Sequence, residues 1–356
     1  MAVSDESFRA LVSGQRRGPV ATLLRGGLAL ASWPYGLAVG LRNRLFDWGW
    51  KRTHQAPVPV VSVGNLTVGG TGKTPCVEYV ARFYRRHELL VAVLSRGYGA
   101  AGGVNDEALV LEENLDDVPH LQGADRVDLA FRAFEELESE VLVLDDAFQH
   151  RRLARDLDVV LVDATNPWGH GHLLPRGLLR ESPRALRRAD VIVLTRSDQV
   201  SATQREYVRQ KVGRLAPGVP VAEAMHRPVE LVNSDREIKD LEVLRGARVV
   251  AFAGLGNPAA FRRTVEDLGA TIADFRTYPD HHPYSRSDIE ELRRWARQQP
   301  SDGVVITTQK DLVKLRLPDL AGRPLWAVRV RLCGRDGGGL SELDRQLLSA
   351  VGRDDP

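Results

Sequence analysis

The fold is decided by one glycine-rich segment, Ser62-Val63-Gly64-Asn65-Leu66-Thr67-Val68-Gly69-Gly70-Thr71-Gly72-Lys73-Thr74. The β-branched run 58–63 predicts a buried strand, and the apolar periodicity of 73–86 predicts a helix directly after the loop. A glycine-rich loop between a strand and a helix is typical of a phosphate-binding loop, because its backbone N–H groups converge on phosphate oxygens. The segment therefore predicts a nucleoside triphosphate site in a P-loop α/β domain.

The loop also suggests which residues hold the nucleotide. The predicted contacts are Thr67, Val68, Gly69, Gly70, Thr71, Gly72, Lys73 and Thr74. We expect Lys73 to reach the β- and γ-phosphates and the Thr74 hydroxyl to bind Mg²⁺. The strict pattern G-x-x-x-x-G-K-[ST] puts its first glycine at Thr67, and here the Gly69-Gly70 pair supplies the flexibility instead. The loop indicates a triphosphate with magnesium but does not identify the acceptor.

After the loop, short apolar runs alternate with helical stretches. Further strands are predicted at 89–94, 141–144, 159–162 and 191–194. Short apolar strands separated by helices indicate a parallel sheet covered on both faces. We therefore predict that residues 53–225 form the P-loop domain.

A second, smaller α/β domain is predicted for residues 226–356. Its expected strands are 249–253, 271–275, 304–307 and 325–330, and its expected helices are 259–268 and 287–298. The join is expected between about 200 and 246, where a charged helix gives way to a connection rich in Pro and Val.

The N-terminal segment, residues 1–52, is both basic and apolar. It holds eight Lys or Arg and three acidic residues, a net charge of about +5, whereas the whole chain carries +2. Its longest uncharged run, Gly26–Leu41, has 16 residues and includes Pro34, which is short of the ~20 residues that a spanning helix needs. We interpret it as an amphipathic helix on a membrane surface, with packing on the domain or a single membrane anchor as alternatives. The predicted apolar side comprises Leu23, Leu24, Leu28, Leu30, Trp33, Leu37 and Leu41.

The overall composition narrows the class of protein. With 43% hydrophobic and 27% charged residues the chain is an ordinary globular protein. A net charge of +2 does not favour a nucleic-acid partner, and no protein partner is implied. The two cysteines, Cys76 and Cys333, lack metal-ligand spacing and suit a reducing compartment.

Two carboxylates, Asp145 and Asp146, follow the predicted strand 141–144. A P-loop enzyme needs an acidic Mg²⁺ site at the end of a strand next to the loop. These two residues are therefore the predicted metal-facing acids.

Two polar clusters outside the loop could supply a base for a hydroxyl acceptor: Asp106-Glu107 and Asp280-His281-His282. An acidic pair in a loop is also consistent with solvated surface, and a His-His pair with a metal site or a helix cap. The residues alone leave these alternatives open.

Seven motifs extend this picture. They are SVGNLTVGGTGKTP at 62–75, SRGYG at 95–99, DDAFQHRRLARDLDVVLVDA at 145–164, LLPRGLLRE at 173–181, FAGLGNP at 252–258, YPDHHPY at 278–284 and TTQKD at 307–311. Their order resembles the tetraacyldisaccharide 4'-kinases, the lipid A 4'-kinases of Gram-negative envelopes. The resemblance spans roughly residues 30 to 330.

This resemblance implies a membrane-associated enzyme on the cytoplasmic face of the bacterial inner membrane. It would transfer the γ-phosphate of ATP, with Mg²⁺, to the 4'-hydroxyl of an acylated glucosamine disaccharide in lipid A biosynthesis. Lys73 and Thr74 take the phosphate and magnesium roles, and Asp145 and Asp146 match the family's paired acids.

The resemblance also implies a catalytic dyad. Asp106 and His281 match its members, with His281 orienting Asp106 and Asp106 taking the hydroxyl proton. Arg180 matches an arginine close to the phosphates, whose planar donors suit phosphate oxygens. Ala108 and Leu178 stand where the family commonly has proline.

Three residues in these motifs, Arg96, Gln149 and His150, have no assigned role. A rival interpretation is a P-loop GTPase acting as a switch or metallochaperone. It rests on Thr195-Arg196-Ser197-Asp198, which is similar to a guanine-reading Thr-Lys-x-Asp motif. A nucleotide-binding scaffold without chemistry would require Asp145 and Asp146 to be idle.

Overall fold

A computed structural model describes residues 5–97, 106–299 and 303–353. The helices are α1 (Asp5–Val12), α2 (Pro19–Asp47), α3 (Lys73–Arg86), α4 (Asp106–Asn114), α5 (Arg126–Leu137), α6 (Ala202–Leu215), α7 (Pro258–Asp267), α8 (Arg286–Arg297), α9 (Gln309–Leu315) and α10 (Ser341–Ala350). The predicted helix 73–86 coincides with α3. The predicted helices 259–268 and 287–298 correspond to α7 and α8, each of which begins and ends one residue earlier.

The strands occur where the apolar runs predicted them, with additional short strands. They are β1 (Val60–Asn65), β2 (Val91–Ser95), β3 (His120–Gln122), β4 (Val141–Asp145), β5 (Leu157–Asp163), β6 (Val191–Thr195), β7 (Val221–Val232), β8 (Ile238–Lys239), β9 (Arg248–Ala253), β10 (Thr271–Thr277), β11 (Val304–Thr308), β12 (Asp319–Leu320) and β13 (Arg323–Gly334).

The chain divides into two compact units. Unit one comprises the described residues of Met1–Arg96, Leu121–Met225 and Cys333–Pro356, and unit two those of Gly97–His120 and His226–Leu332. These units do not coincide with the contiguous segments 53–225 and 226–356. The C-terminal helix α10 belongs to unit one because it is bonded to α3: Tyr79 Oη donates to Asp344 at 2.7 Å and Tyr84 Oη to the Leu347 carbonyl at 2.9 Å.

Unit one is built on a mainly parallel sheet with strand order β6-β5-β1-β4-β2-β3, and the first residues of β7, up to Met225, continue it beside β6. The central strands β1, β4, β5 and β6 are buried along their whole length, as their non-alternating apolar sequences predict. In the parallel register Val63 of β1 lies opposite Asp145 of β4. The carboxyl ends of these two strands therefore meet at one edge, where the glycine-rich loop begins.

Unit two contains the strands in the order β10-β9-β11-β13, followed by the part of β7 that begins at His226, with β8 and β12 as short antiparallel additions. Pairs β9–β10, β9–β11 and β11–β13 are parallel. One apolar cluster holds Leu292 and Trp295 of α8, and another holds Phe261 and Val265 of α7. Strands and helices thus alternate in this part of the chain, at positions close to those predicted.

The N-terminal helix α2 is 29 residues long and continues through Pro34. Among the described residues, no helix combines the length and the apolar content that crossing a bilayer requires. The outward side of α2 is nevertheless strongly apolar: Leu23, Leu30, Trp33 and Leu37 are at least 70% exposed. Leu28 differs from the predicted apolar side because it is half-buried.

Candidate active site

The glycine-rich loop connects β1 to α3, as predicted. Gly69 and Gly72 adopt φ angles of 113° and 89°, a backbone region that side chains with a Cβ rarely occupy. Asn65 braces the loop from inside: its Nδ2 donates to the Thr67 carbonyl at 2.8 Å and to Thr71 Oγ1 at 2.9 Å. The loop thus makes a braced turn that leads directly into the N-terminal end of α3.

Two residues at the end of β6 fasten the loop from the other side. Thr195 Oγ1 donates to the Thr71 carbonyl at 2.9 Å. Arg196 Nη2 donates to the Gly70 carbonyl at 2.7 Å, while its Nη1 pairs with Asp163. Two of the four residues that suggested a guanine-reading motif, Thr195 and Arg196, therefore hold the loop, whereas Ser197 donates to the Ala224 carbonyl.

Asp146 is the charged centre of the site. Its Oδ1 lies 2.7 Å from Arg180 Nη1 and 3.7 Å from Lys73 Nζ. Burial alone would raise the pKa of the Asp146 carboxyl, but Lys73 and Arg180 offset this effect and hold the pKa below its ordinary value. Three predicted site residues from distant parts of the sequence are thus brought together as an ionised cluster.

Gln149, whose role the sequence left open, connects this cluster to the loop. Its Nε2 donates to the Asn65 carbonyl at 2.8 Å and to Glu181 Oε1 at 3.0 Å, and its Oε1 accepts from Arg180 at 3.3 Å. Glu181 is 1% exposed and pairs with Arg188 at 2.8 Å. Arg180 and Glu181 therefore have separate ionic partners, Asp146 and Arg188.

The donor set available for magnesium consists of oxygens. Thr74 is buried in the first turn of α3, and Asp145 and Asp146 end β4 and begin the following turn. Hydroxyl and carboxylate oxygens are the ligands that Mg²⁺ prefers. The described residues include no cluster of three or more His, Cys, Asp or Glu side chains placed to hold an ion, so this set needs phosphate oxygens or water to complete it, which is usual for magnesium.

A second predicted cluster lies within unit two. His281 Nδ1 is 2.9 Å from Asp106 Oδ1 and 3.0 Å from Oδ2. Asp106 is buried at the start of α4, whereas the His281 side chain is 57% exposed. The two members of the predicted dyad are in contact, with the carboxylate inside and the imidazole partly in solvent.

Two lysines of α9, Lys310 and Lys314, add positive charge beside this dyad. Lys310 lies in the TTQKD motif, but the sequence assigned a role to neither lysine. Lys314 Nζ lies 3.7 Å from Asp106 Oδ2 and 3.3 Å from Asp311 Oδ1, and Lys310 Nζ lies 2.7 Å from Glu107. Burial would raise the pKa of the Asp106 carboxyl, but the His281 hydrogen bond, Lys310 and Lys314 keep it below its usual value. The same hydrogen bond raises the pKa of His281.

The neighbouring imidazole, His282, has a different environment. Its Nε2 lies 3.1 Å from Asp288 and its ring stacks on Tyr278 with centroids 4.9 Å apart. His281 thus contacts Asp106 and His282 contacts Asp288. This arrangement does not support the alternative in which the two histidines bind one metal ion together.

The remaining predicted residues have simpler environments. His150 is half-buried, and burial together with nearby Arg126 and Arg152 lowers its pKa to about 4, so its ring is neutral at neutral pH. Arg96 is exposed after β2, and Tyr98 and Gly99 of the same motif lie outside the described residues. Ala108 is buried in the first turn of α4, and Leu178 donates its N–H to the Gly169 carbonyl at 2.9 Å, a bond that a proline there could not make.

This fold and site define a P-loop phosphotransferase. The model of the tetraacyldisaccharide-1-P 4'-kinase family matches residues 24–349. A tetraacyldisaccharide 4'-kinase of Anaeromyxobacter dehalogenans (strain 2CP-C) is 44% identical over 336 residues, which cover 89% of this chain and 88% of the relative. A protein of the same name from Syntrophus aciditrophicus (strain SB) is 41% identical over 325 residues, covering 84% and 85%. The crystal structure of LpxK from Aquifex aeolicus in complex with ATP is similar with a TM-score of 0.74 and 30% identity, covering 92% of this chain and 99% of that one.

The chain belongs to the tetraacyldisaccharide-1-P 4'-kinase family. The family resemblance of the sequence motifs is thereby confirmed, and the rival GTPase interpretation is not favoured.

The bond from Arg196 to the glycine-rich loop generates a prediction. Arg196→Ala removes the donor to the Gly70 carbonyl and frees the loop, so we expect Mg-ATP affinity to fall by about tenfold, in keeping with the loss of one charge-assisted hydrogen bond. Titration followed by thermal shift measures this change. Arg209→Ala, at an exposed position of α6, is the matched control. Equal affinities for both variants would contradict the role of Arg196.

Proposed function

We infer that this protein transfers the γ-phosphate of ATP to the 4'-hydroxyl of a tetraacylated glucosamine disaccharide 1-phosphate, a step of lipid A biosynthesis. Family membership supports the reaction, since the relatives carry the name of this activity. The observation that carries the inference is the shared contact of Lys73 and Arg180 with the carboxylate of Asp146 at the mouth of the phosphate loop.

We propose that Lys73 and Arg180 neutralise the charge of the transferred phosphoryl group. Phosphoryl transfer depends mainly on positioning and electrostatic stabilisation. In the structure both cations are directed to Asp146, and phosphate oxygens offer them the same kind of acceptor. Mg²⁺, which Thr74, Asp145 and Asp146 would hold, supplies further charge neutralisation when bound.

We propose that Asp106 accepts the proton of the acceptor hydroxyl. A base must be ionised at working pH and its orientation fixed. The low pKa of Asp106 and its hydrogen bond to His281 support both requirements. His281 then acts as a positioning residue that also stabilises the carboxylate.

We propose that the outward side of α2 contacts the cytoplasmic face of the inner membrane. Its exposed Leu30, Trp33 and Leu37 form an apolar side without charges, and Arg25, Arg42 and Arg44 flank it. An apolar strip flanked by arginines suits an anionic lipid surface. A membrane-bound position would also give the enzyme access to a substrate with fatty-acyl chains.

Turnover of the proposed substrate is the direct test. With Mg-ATP and the acylated disaccharide 1-phosphate, mass spectrometry should detect a product heavier by one phosphate. We expect Lys73→Ala and Asp145→Ala to abolish turnover, and Asp106→Ala to lower kcat by about 10²–10⁴, as for the loss of a general base. Wild-type rates from the Asp106 variant would remove this residue from the mechanism, while absence of product from the wild-type protein would refute the reaction.

The dyad also predicts a pH dependence. Because only the carboxylate of Asp106 accepts a proton, kcat/KM should fall at acidic pH as this group protonates. His281→Ala deletes the hydrogen bond that lowers the pKa of Asp106, so this pKa rises and the acidic limb of the kcat/KM profile moves to higher pH. His282→Ala, which alters a histidine paired with Asp288, is the matched control. An acidic limb at the same pH in both variants would show that His281 does not lower the pKa of Asp106.

Membrane contact can be tested without deleting α2. The double variant Leu30→Gln/Leu37→Gln should reduce sedimentation with vesicles containing anionic lipid by about tenfold or more, because each leucine loses roughly 1.5–3 kcal/mol of burial in lipid. Leu90→Gln/Leu137→Gln changes two exposed leucines elsewhere in unit one and should leave sedimentation unchanged. Equal binding of the two double variants would argue against α2 as the lipid-contacting element.

A further inference from the structure

We propose that helix α2 positions the catalytic Arg180, with Tyr35 and Asn43 as the positioning residues. This inference rests on the role proposed for Arg180. It concerns the inward side of α2, which contacts the segment 173–181 within unit one and is distinct from the outward apolar side.

The first observation is a direct bond from α2 to the main chain of Arg180. Tyr35 Oη donates to the Arg180 carbonyl at 2.8 Å. Three residues earlier in the helix, Ser32 Oγ donates to the Leu173 carbonyl at 3.1 Å and accepts from the Arg176 N–H at 3.1 Å. Polar side chains one turn apart on α2 therefore hold both ends of the segment 173–181.

The second observation concerns Asn43, two turns further along α2. Its Nδ2 donates to Glu181 Oε2 at 2.8 Å, while Gln149 and Arg188 occupy Glu181 Oε1. Gln149 in turn accepts from the Arg180 guanidinium. Asn43 is thus one hydrogen bond from Glu181, the residue beside Arg180, and three hydrogen bonds from the Arg180 guanidinium, through the buried Glu181 and the partly buried Gln149.

The third observation is that the same segment is bonded to the glycine-rich loop on its other side. The Arg180 N–H donates to the Leu66 carbonyl at 2.7 Å, and the Val68 N–H donates to the Leu178 carbonyl at 2.8 Å. The main chain of Arg180 is therefore held at its N–H by the loop and at its C=O by α2. From this fixed main chain the Arg180 side chain extends to Asp146, to which its Nη1 donates at 2.7 Å.

Close packing supports the same contact. A Cβ at Gly36 would lie 2.9 Å from Leu173 Cδ1, so the absence of a side chain at this position allows α2 to approach the segment. Because its backbone is fixed on both sides and its guanidinium is already bonded to Asp146 and Gln149, Arg180 loses less further freedom when it binds phosphate. Preorganisation of this kind lowers the barrier of the chemical step more than it tightens ground-state binding.

The test uses Tyr35→Phe in the full-length protein, a change that deletes one oxygen atom. We expect kcat to fall by about 5- to 10-fold, the equivalent of one lost hydrogen bond, while KM for ATP changes by less than about twofold because the loop contacts remain. Tyr207→Phe, at an exposed position of α6, is the matched control and should retain wild-type kcat. Asn43→Ala should also lower kcat.

Combination with Arg180→Ala shows whether Tyr35 acts through Arg180. If it does, Tyr35→Phe lowers kcat in the wild-type background and has no further effect in the Arg180→Ala background. The same loss in both backgrounds, or wild-type kcat from Tyr35→Phe, would overturn the inference while leaving the role of Arg180 intact. Wild-type turnover by Arg180→Ala alone would instead refute the proposed role of Arg180, and the inference with it.

Discussion

The ionic contact of Asp146 with Lys73 and Arg180 is the interaction on which the rest of the site depends. A largely buried carboxylate remains ionised only when cations compensate for its lost hydration. Here one cation comes from the first turn of α3 and the other from the segment 173–181. The strand register that ends β1 beside β4 makes the first contact possible. When a phosphate group binds here, its oxygens would replace the carboxylate oxygens of Asp146 as the acceptors of Lys73 and Arg180, and both cations would already be in position.

Unit two also contains a buried carboxylate that neighbouring cationic groups stabilise. Asp106 is almost fully buried, and His281 and Lys314 approach it from two elements. Lys314 is shared with Asp311, which also accepts from Tyr284 and Thr308. Truncating one member of such a network exposes the others to unbalanced charge. The position of Asp106 thus reflects the packing of α9 as much as the histidine that the sequence motif identifies.

The sequence predicted the parts of the molecule that depend on local order. The loop, α3 and the acids after β4 follow from a glycine pattern, a helical period and an apolar run. Arg180 and the dyad were accessible only through family resemblance, because nothing local connects residues 106 and 281. The contacts of Tyr35 with Arg180 and of Asn43 with Glu181 cross 145 and 138 residues, and single polar side chains in an apolar helix give no signal of their partners. Arg196 was interpretable as a base-reading residue until the structure showed its bond to Gly70.

The two-sided character of α2 has a practical consequence. Removing an apolar N-terminal helix is a common way to make an enzyme easier to purify. In this protein such a truncation would also delete Tyr35 and Asn43, so poor turnover by a shortened chain would say little about lipid requirement. Replacing the outward leucines of α2 with polar residues would raise solubility while keeping Tyr35 and Asn43, so the effect on lipid contact could be measured without loss of the contacts to Arg180 and Glu181.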